Sequence, residues 1–252
     1  MFSHKFKCDF TTNFDLSQVK SSSTHKISVI YIHGLFSDCW GRKPESVKTW
    51  CLEHRINFLR FELAGHGSDS ERYLETDIDV WKSQLLEVID DFCEGNVVLV
   101  GSSVGGWLSL LAAQERPERV VGIIGLAAAP DFTLDLEKYI FTPEQKQLME
   151  KTGKLDFSTK DFTYVFTKKM FESGRKNALL GQEIPIDCKV HLLQGMRDDC
   201  LDPNKALNIA KALRSSEVVV KLLKRSNHRL CNSEDIQELF NSLKDVCFPQ
   251  SA

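Results

Sequence analysis

Short apolar runs rich in β-branched residues recur along this chain and alternate with stretches whose apolar side chains return every three or four positions. Residues 27–32 (Ile-Ser-Val-Ile-Tyr-Ile) and 57–63 have the length and composition of buried strands, as do 97–100, 120–128, 189–193 and 218–223. Residues 79–93 place Val80, Trp81, Leu85, Val88, Ile89 and Phe92 on one helical face. A further helix over 108–114 stops at the Glu115-Arg116-Pro117 breaker, and helices over 204–213 and 233–246 follow the last two strands. Such alternation predicts an α/β fold, a mostly parallel central sheet with helices on both faces.

Residues 131–185 break the rhythm, separating two strands by more than a crossover requires. Residues 132–171 hold 8 of the 24 Phe, Tyr and Trp residues, twice the density of an even spread. A long insertion inside a compact domain is more often functional than idle, so the expectation is one domain over 1–252 with a small helical lid insertion at 131–185. Plain packing gives a compatible reading, in which Phe162, Phe166 and Met170 form an i, i+4, i+8 helical stripe.

Composition narrows the function classes. With 252 residues, 42% hydrophobic and 27% charged, the chain has the balance of a globular protein. Its 32 basic and 35 acidic side chains leave a net charge of −3, without the basic excess that a phosphate backbone demands, so nucleic acid is not an expected partner. The longest apolar run, 120–130, is interrupted by Gly122 and Gly125 and falls short of the roughly 18–20 residues of a membrane span. The first ten residues resemble neither a secretory segment nor an Arg-rich leader, so a cytoplasmic protein is expected ahead of one in the mitochondrial matrix. The 8 cysteines contain no CxxC pair and read as reduced thiols. Residues 64–68 (Ala-Gly-His-Gly-Ser) lack both the P-loop lysine and the dinucleotide glycine pattern. No metal and no cofactor are expected.

Gly101-Ser102-Ser103-Val104-Gly105 fits G-x-S-x-G at the junction of a buried strand and a helix, where a nucleophile elbow must sit. Ser103 is the candidate nucleophile, and Ser102 is the inert x of the motif. A serine hydroxyl needs a neighbouring base and an acid to orient that base, in the chain order Ser, Asp or Glu, His. Beyond Ser103 there are only His191, inside a strand, and His228, on the loop after the last strand, so His228 is the expected base. For the acid, Asp198, Asp199 and Asp202 compete at the end of the preceding strand, and loop position favours Asp198. His33-Gly34-Leu35-Phe36 follows the 27–32 strand and would bring the Leu35 backbone N–H, with that of Val104, to a developing oxyanion. His33 itself reads as a turn residue rather than a second base.

These segments, with Gly65-His66-Gly67-Ser68, Gly195-Met196-Arg197-Asp198 and Asn227-His228-Arg229, occur in an order that resembles the alpha/beta-hydrolase superfamily. Gly-Ser-Ser-Val-Gly-Gly-Trp at 101–107, Met170-Phe171-Glu172-Ser173-Gly174-Arg175, Ile184-Pro185-Ile186 and His228-Arg229-Leu230 look most like its mitochondrial palmitoyl-protein thioesterase and acyl-glucuronide esterase subgroup and bacterial relatives. The likeness covers residues 27–246. Two features depart from the usual pattern: the Pro after the acid lies in Asp202-Pro203, and Glu62 stands where an Asp is usual.

The function expected is a serine hydrolase cleaving carboxylic esters or acyl thioesters through an acyl-serine, on a small-molecule or acylated-protein substrate. An acyltransferase, a C–C bond hydrolase and a non-catalytic ligand-binding protein are the alternatives, since fold does not fix reaction. Phe36, Phe132, Phe141, Phe162 and Phe166 are the candidate lining of an apolar substrate pocket. Cys39, Cys200 and Cys231 each lie a few residues from a site loop and are candidates to approach one another at its mouth.

Overall fold

The structure, a computed structural model, describes residues 2–19, 27–159 and 162–248. In chain order the strands are β1 (Phe2–Lys5), β2 (Thr11–Ser17), β3 (Ile27–Ile32), β4 (Asn57–Phe61), β5 (Asn96–Ser102), β6 (Val120–Leu126), β7 (Lys154–Ser158), β8 (Thr163–Thr167), β9 (Lys189–Gly195) and β10 (Val218–Leu223). The helices are α1 (Arg42–Glu53), α2 (Ile78–Phe92), α3 (Val104–Glu115), α4 (Phe132–Asp135), α5 (Pro143–Thr152), α6 (Lys168–Lys176), α7 (Asn204–Ala212) and α8 (Ser233–Cys247).

One sheet runs in the order β1-β2-β4-β3-β5-β6-β9-β10, and β7 and β8 pair separately. From β4 to β10 every pairing is parallel, while the β1–β2 hairpin adds to β4 antiparallel. The hairpin and α1 were not foreseen in the sequence. Residues 2–17 carry few β-branched residues, and α1 has Pro44 in its first turn with only Val47, Trp50 and Cys51 behind it as a buried stripe.

Because successive strand residues face opposite ways, each central strand feeds two cores. Ile30, Ile32, Val97 and Leu99 join Trp81 and Leu85 of α2 and Trp107 of α3 on one face. Val29, Tyr31, Val98 and Val100 join Val47 and Trp50 of α1 and Leu239 and Leu243 of α8 on the other.

The insertion between β6 and β9 is mixed rather than helical. It holds α4, α5, the antiparallel β7–β8 hairpin and α6. Phe166 lies on β8, Phe162 just before that strand and Met170 on α6, so the helical stripe proposed for these residues is not formed. Tyr164-Val165-Phe166-Thr167 is β-branched and aromatic, and that composition prevails over the four-residue spacing. Buried Asp131 accepts hydrogen bonds from the Leu179 N–H (2.9 Å) and the Leu180 N–H (2.6 Å), fastening the beginning of the insertion to its end. The Tyr73 hydroxyl donates to the Val165 carbonyl (3.0 Å) and Lys169 pairs with Asp77 (3.0 Å), seating the hairpin and α6 on the segment ahead of α2.

The two motif glycines permit close passage of α3 beneath the sheet. A Cβ at Gly105 would stand 2.3 Å from the Ile32 carbonyl oxygen, and one at Gly101 would stand 2.2 Å from the Gly105 oxygen. Backbone cannot retreat as a flexible side chain can. Gly105→Ala is therefore expected to lower stability by about 1–3 kcal/mol, read as an earlier urea midpoint at unchanged slope; a midpoint equal to wild type would show that α3 shifts freely.

Candidate active site

Connections leave β3 toward β4 on one side of the sheet and β5 toward β6 on the other, so the strand order reverses between β3 and β5. At such a point the carboxyl ends of the strands open a crevice. It receives residues 33–36 from β3 and 103–104 from β5.

Ser103 sits on that turn at φ 54°, ψ −116°, a backbone region that residues with a Cβ avoid and that costs on the order of 1–3 kcal/mol. The surroundings over-determine it. Its N–H donates to the Leu126 carbonyl (2.9 Å), and its carbonyl accepts from the N–H groups of Gly106 (2.9 Å) and Ala129 (3.1 Å). The side chain is half-buried. Val104 is the first residue of α3, so its N–H is one of those that no helical carbonyl can accept.

The loop after β3 approaches the elbow closely enough that a Cβ on Gly34 would lie 3.3 Å from the Ser103 Cβ. His33 holds this loop. Its Nε2 accepts the Leu63 N–H (2.9 Å), which leaves the proton on Nδ1, and Nδ1 donates to the Gly34 carbonyl (2.8 Å). Since the Gly34–Leu35 peptide is planar, fixing that carbonyl aims the Leu35 N–H the opposite way. Burial, with His66 close by, pushes the His33 ring down to about 3, so it stays neutral and is a positioning group rather than a base. Further along, Arg60 donates to the Cys39 carbonyl (3.1 Å) and the Trp40 indole to Glu62 (2.9 Å).

Asp198 and His228, 30 residues apart, meet at 2.8 Å between Oδ2 and Nδ1. The Asp198 side chain is fully buried and saturated. Oδ1 accepts the N–H groups of Cys200 and Leu201, both at 2.9 Å, and Oδ2 accepts His228 and the Gln194 side-chain amide, also 2.8 Å. Burial pushes this carboxyl up, but the hydrogen bond and charge of His228 and the two backbone N–H groups outweigh it, and the net direction is down. Gln194 was missed in the sequence; the one signal was an amide at the carboxyl end of an otherwise apolar strand.

The other candidates lie elsewhere. Asp199 is turned to the Cys200 thiol (3.6 Å), and Asp202 accepts from Asn204 (2.9 Å) at the start of α7. His191 is buried on β9, facing Asp245 of α8 at 2.9 Å. Among the described residues no hydrogen bond joins the Ser103 hydroxyl to His228, and such bonds commonly tighten only with substrate bound.

Phe36 abuts Phe162 (ring centroids 5.5 Å), Tyr164 (5.6 Å) and Tyr73 (4.6 Å), carrying an aromatic wall from the β3 loop onto the hairpin. Phe132 packs on Trp107 (5.8 Å) and Phe166 (6.5 Å). Phe141 and Phe166 are buried among Phe157 and Phe171, in the core of the insertion itself. All eight cysteines are free thiols. Cys39 is turned into the core and Cys231 is half-buried, whereas exposed Cys200 reaches the site. Its sulfur and one donor atom each of Asp198 and His228 lie within 4.8 Å of one another, the one such cluster among the described residues. Both Asp198 oxygens are already hydrogen-bonded, so a metal there would have to break the Asp198–His228 pair.

Comparison with known proteins agrees with this architecture. The model of the alpha/beta hydrolase family matches residues 29–214. The rat protein named palmitoyl-protein thioesterase ABHD10, mitochondrial, is 33% identical over 226 residues, covering 86% of this chain and 74% of its own. The structure of mouse alpha/beta hydrolase domain-containing protein 10 superposes with a TM-score of 0.86 at 29% identity, covering 96% of this chain and 95% of its own. A hydrolase structure from Agrobacterium vitis gives 0.84 at 27% identity, covering 93% and 98%. Among the described residues no helix is long and apolar enough to cross a membrane.

A lowered Asp198 carboxyl contributes stability that is present above its unfolded value near 3.8 and is lost as pH falls through the folded value. Asp198→Asn should therefore be less stable than wild type by about 2 kcal/mol at pH 6, with the gap narrowing toward pH 3. Urea unfolding of both proteins at each pH measures it, and a gap independent of pH would deny the pairing its charge.

Proposed function

The chain belongs to the alpha/beta hydrolase family, and from that premise we propose that it is a serine hydrolase acting on acyl thioesters and carboxylic esters through an acyl-enzyme on Ser103. Its relatives make it an ester-bond hydrolase; the route through Ser103 rests on the geometry of this chain. The observation that carries it is the Asp198–His228 pair, 2.8 Å across, at the same sheet edge as a serine held on a strained turn. With Nδ1 donating to Asp198, the Nε2 of His228 is the basic nitrogen. It takes the Ser103 proton as the hydroxyl attacks the acyl carbonyl, and the N–H groups of Leu35 and Val104 receive the oxyanion. The protonated ring then gives its proton to the leaving atom, and water deacylates the serine by the same steps in reverse.

A thiolate leaves with little help from that proton, so thioesters suit the site and amides do not. The rat relative is named for palmitoyl-protein thioesters, and here the wall of Phe36, Phe162 and Tyr164 supports an apolar acyl slot under the insertion, which we read as a lid. The eight free thiols support a reducing compartment, a condition that the cytoplasm expected from the sequence and the mitochondrion in the relative's name both meet.

A fluorophosphonate probe should add to Ser103 alone, found by mass spectrometry, and Ser103→Ala should remain unlabelled. Ser103→Ala and His228→Ala should each lose about 10⁴-fold or more in turnover, whereas Asp199→Asn should stay near wild type. An adduct on another residue would overturn the assignment. Each buried CH₂ is worth about 0.8 kcal/mol, about fourfold in rate, so kcat/KM should climb about tenfold or more for every two carbons from acetyl to octanoyl thioesters. A flat profile would remove the slot while leaving the nucleophile in place.

A further inference from the structure

We infer that Lys43 is a positioning residue of this site, its ammonium clamping the residue before the nucleophile to the residue after the base. The Lys43 Nζ donates to the Ser102 hydroxyl (2.9 Å) and to the Arg229 carbonyl (2.6 Å). Ser102 directly precedes Ser103, and Arg229 directly follows His228. The hydroxyl in the x position of the motif, expected from the sequence to be inert, is thus a tether.

A tether is needed because of the sheet order. β5, which ends in Ser102, and β10, which leads to His228, are separated by β6 and β9, about 14 Å at the usual strand spacing. The loop carrying His228 must fold back across that distance to serve Ser103. Lys43 reaches both from α1, on the face opposite the insertion. Arg42 beside it donates to the Ser233 hydroxyl (3.1 Å) at the start of α8, so the same turn of α1 also holds the far end of the loop.

Around the amine stand the Tyr31 phenol on β3, which shares the Ser102 hydroxyl, the Cys231 thiol in the loop and the Asp235 carboxyl on α8, while on its own helix Arg42 bonds Ser233 and Glu45 pairs with Arg60 (2.7 Å). Burial pushes the ammonium down to about 8, against the upward pull of Cys231 and Asp235. Charged, it makes two charge-assisted hydrogen bonds; neutral, it makes weaker ones. Reactivity should therefore fall as pH rises past about 8.

The inference rests on the serine-hydrolase reading, and the test separates the two. The rate of fluorophosphonate labelling and the kcat and KM on p-nitrophenyl butyrate are measured from pH 6 to 10 for the full chain, Lys43→Met and Lys43→Arg, with thermal unfolding alongside. Lys43→Met should label about tenfold more slowly, with kcat reduced far more than KM and no fall specific to pH 8. Lys43→Arg should recover most of the rate at pH 7 and hold it past pH 9, because a guanidinium does not titrate there. Folded Lys43→Met with the wild-type rate and profile would overturn the clamp while leaving the hydrolase intact. A wild type that does not label at all would overturn both. If Lys43→Met does not fold, Ser102→Ala decides, since it removes one of the two acceptors and keeps the charge: slower labelling at unchanged KM is the expected result, and wild-type labelling would overturn the inference.

Discussion

Ser103 carries a Cβ in a backbone conformation that side chains avoid, and such a conformation persists only where the neighbours leave the chain no better alternative. Two strands beside β5 take part in that confinement. β6 accepts the Ser103 N–H through Leu126, the segment after β6 donates to its carbonyl through Ala129, and β3 lies so near α3 that no Cβ fits at position 105. The parallel order that places β3, β5 and β6 side by side is thus a precondition of the turn. That turn puts a hydroxyl and the first N–H of α3 at one edge of the sheet.

The site also divides its histidines by environment. His33 and His228 are the same side chain at the same sheet edge, yet His33 is sealed between a backbone donor and a backbone acceptor and driven neutral. His228 instead has a buried, fully hydrogen-bonded carboxylate on one nitrogen and is a fifth exposed. One ring sets the direction of a peptide plane; the other is the base of the proposed mechanism. Ring type alone does not separate them: burial holds His33 neutral, whereas His228 has a carboxylate partner.

Much of this was legible in the sequence where chemistry is carried by a motif or by apolar period. The six parallel strands, Ser103 in its glycine turn, and Asp198 and His228 at successive strand ends needed only local pattern and chain order. The β1–β2 hairpin left little signal because a strand at the sheet margin draws its order from pairing with β4 rather than from its own apolar content. Around 162–170 two periods competed, and the four-residue spacing hid a β-hairpin. Gln194 left one faint signal, an amide at the carboxyl end of an apolar strand, because its partner Asp198 is brought back to it only by the turn that follows. Lys43 left none: its partners lie 59 and 186 residues away along the chain, and a carbonyl such as that of Arg229 leaves no trace in residue identity.

The insertion bears on which substrates can exploit this edge. A swinging flap would gather little free energy from an acyl chain, since the entropy lost in ordering its own side chains would offset the apolar burial it offers. Here Asp131 joins the two ends, Tyr73 grips the hairpin backbone and Lys169 pairs with Asp77, so the hairpin is fastened before any ligand arrives. Phe36, on the loop that carries the Leu35 N–H, packs against Phe162 and Tyr164 of that fastened element. The aromatic wall and the proposed oxyanion site therefore share one rigid loop. In the proposed mechanism an acyl chain filling the apolar side would press on the same backbone that aims the N–H, so acyl length would enter turnover as well as binding.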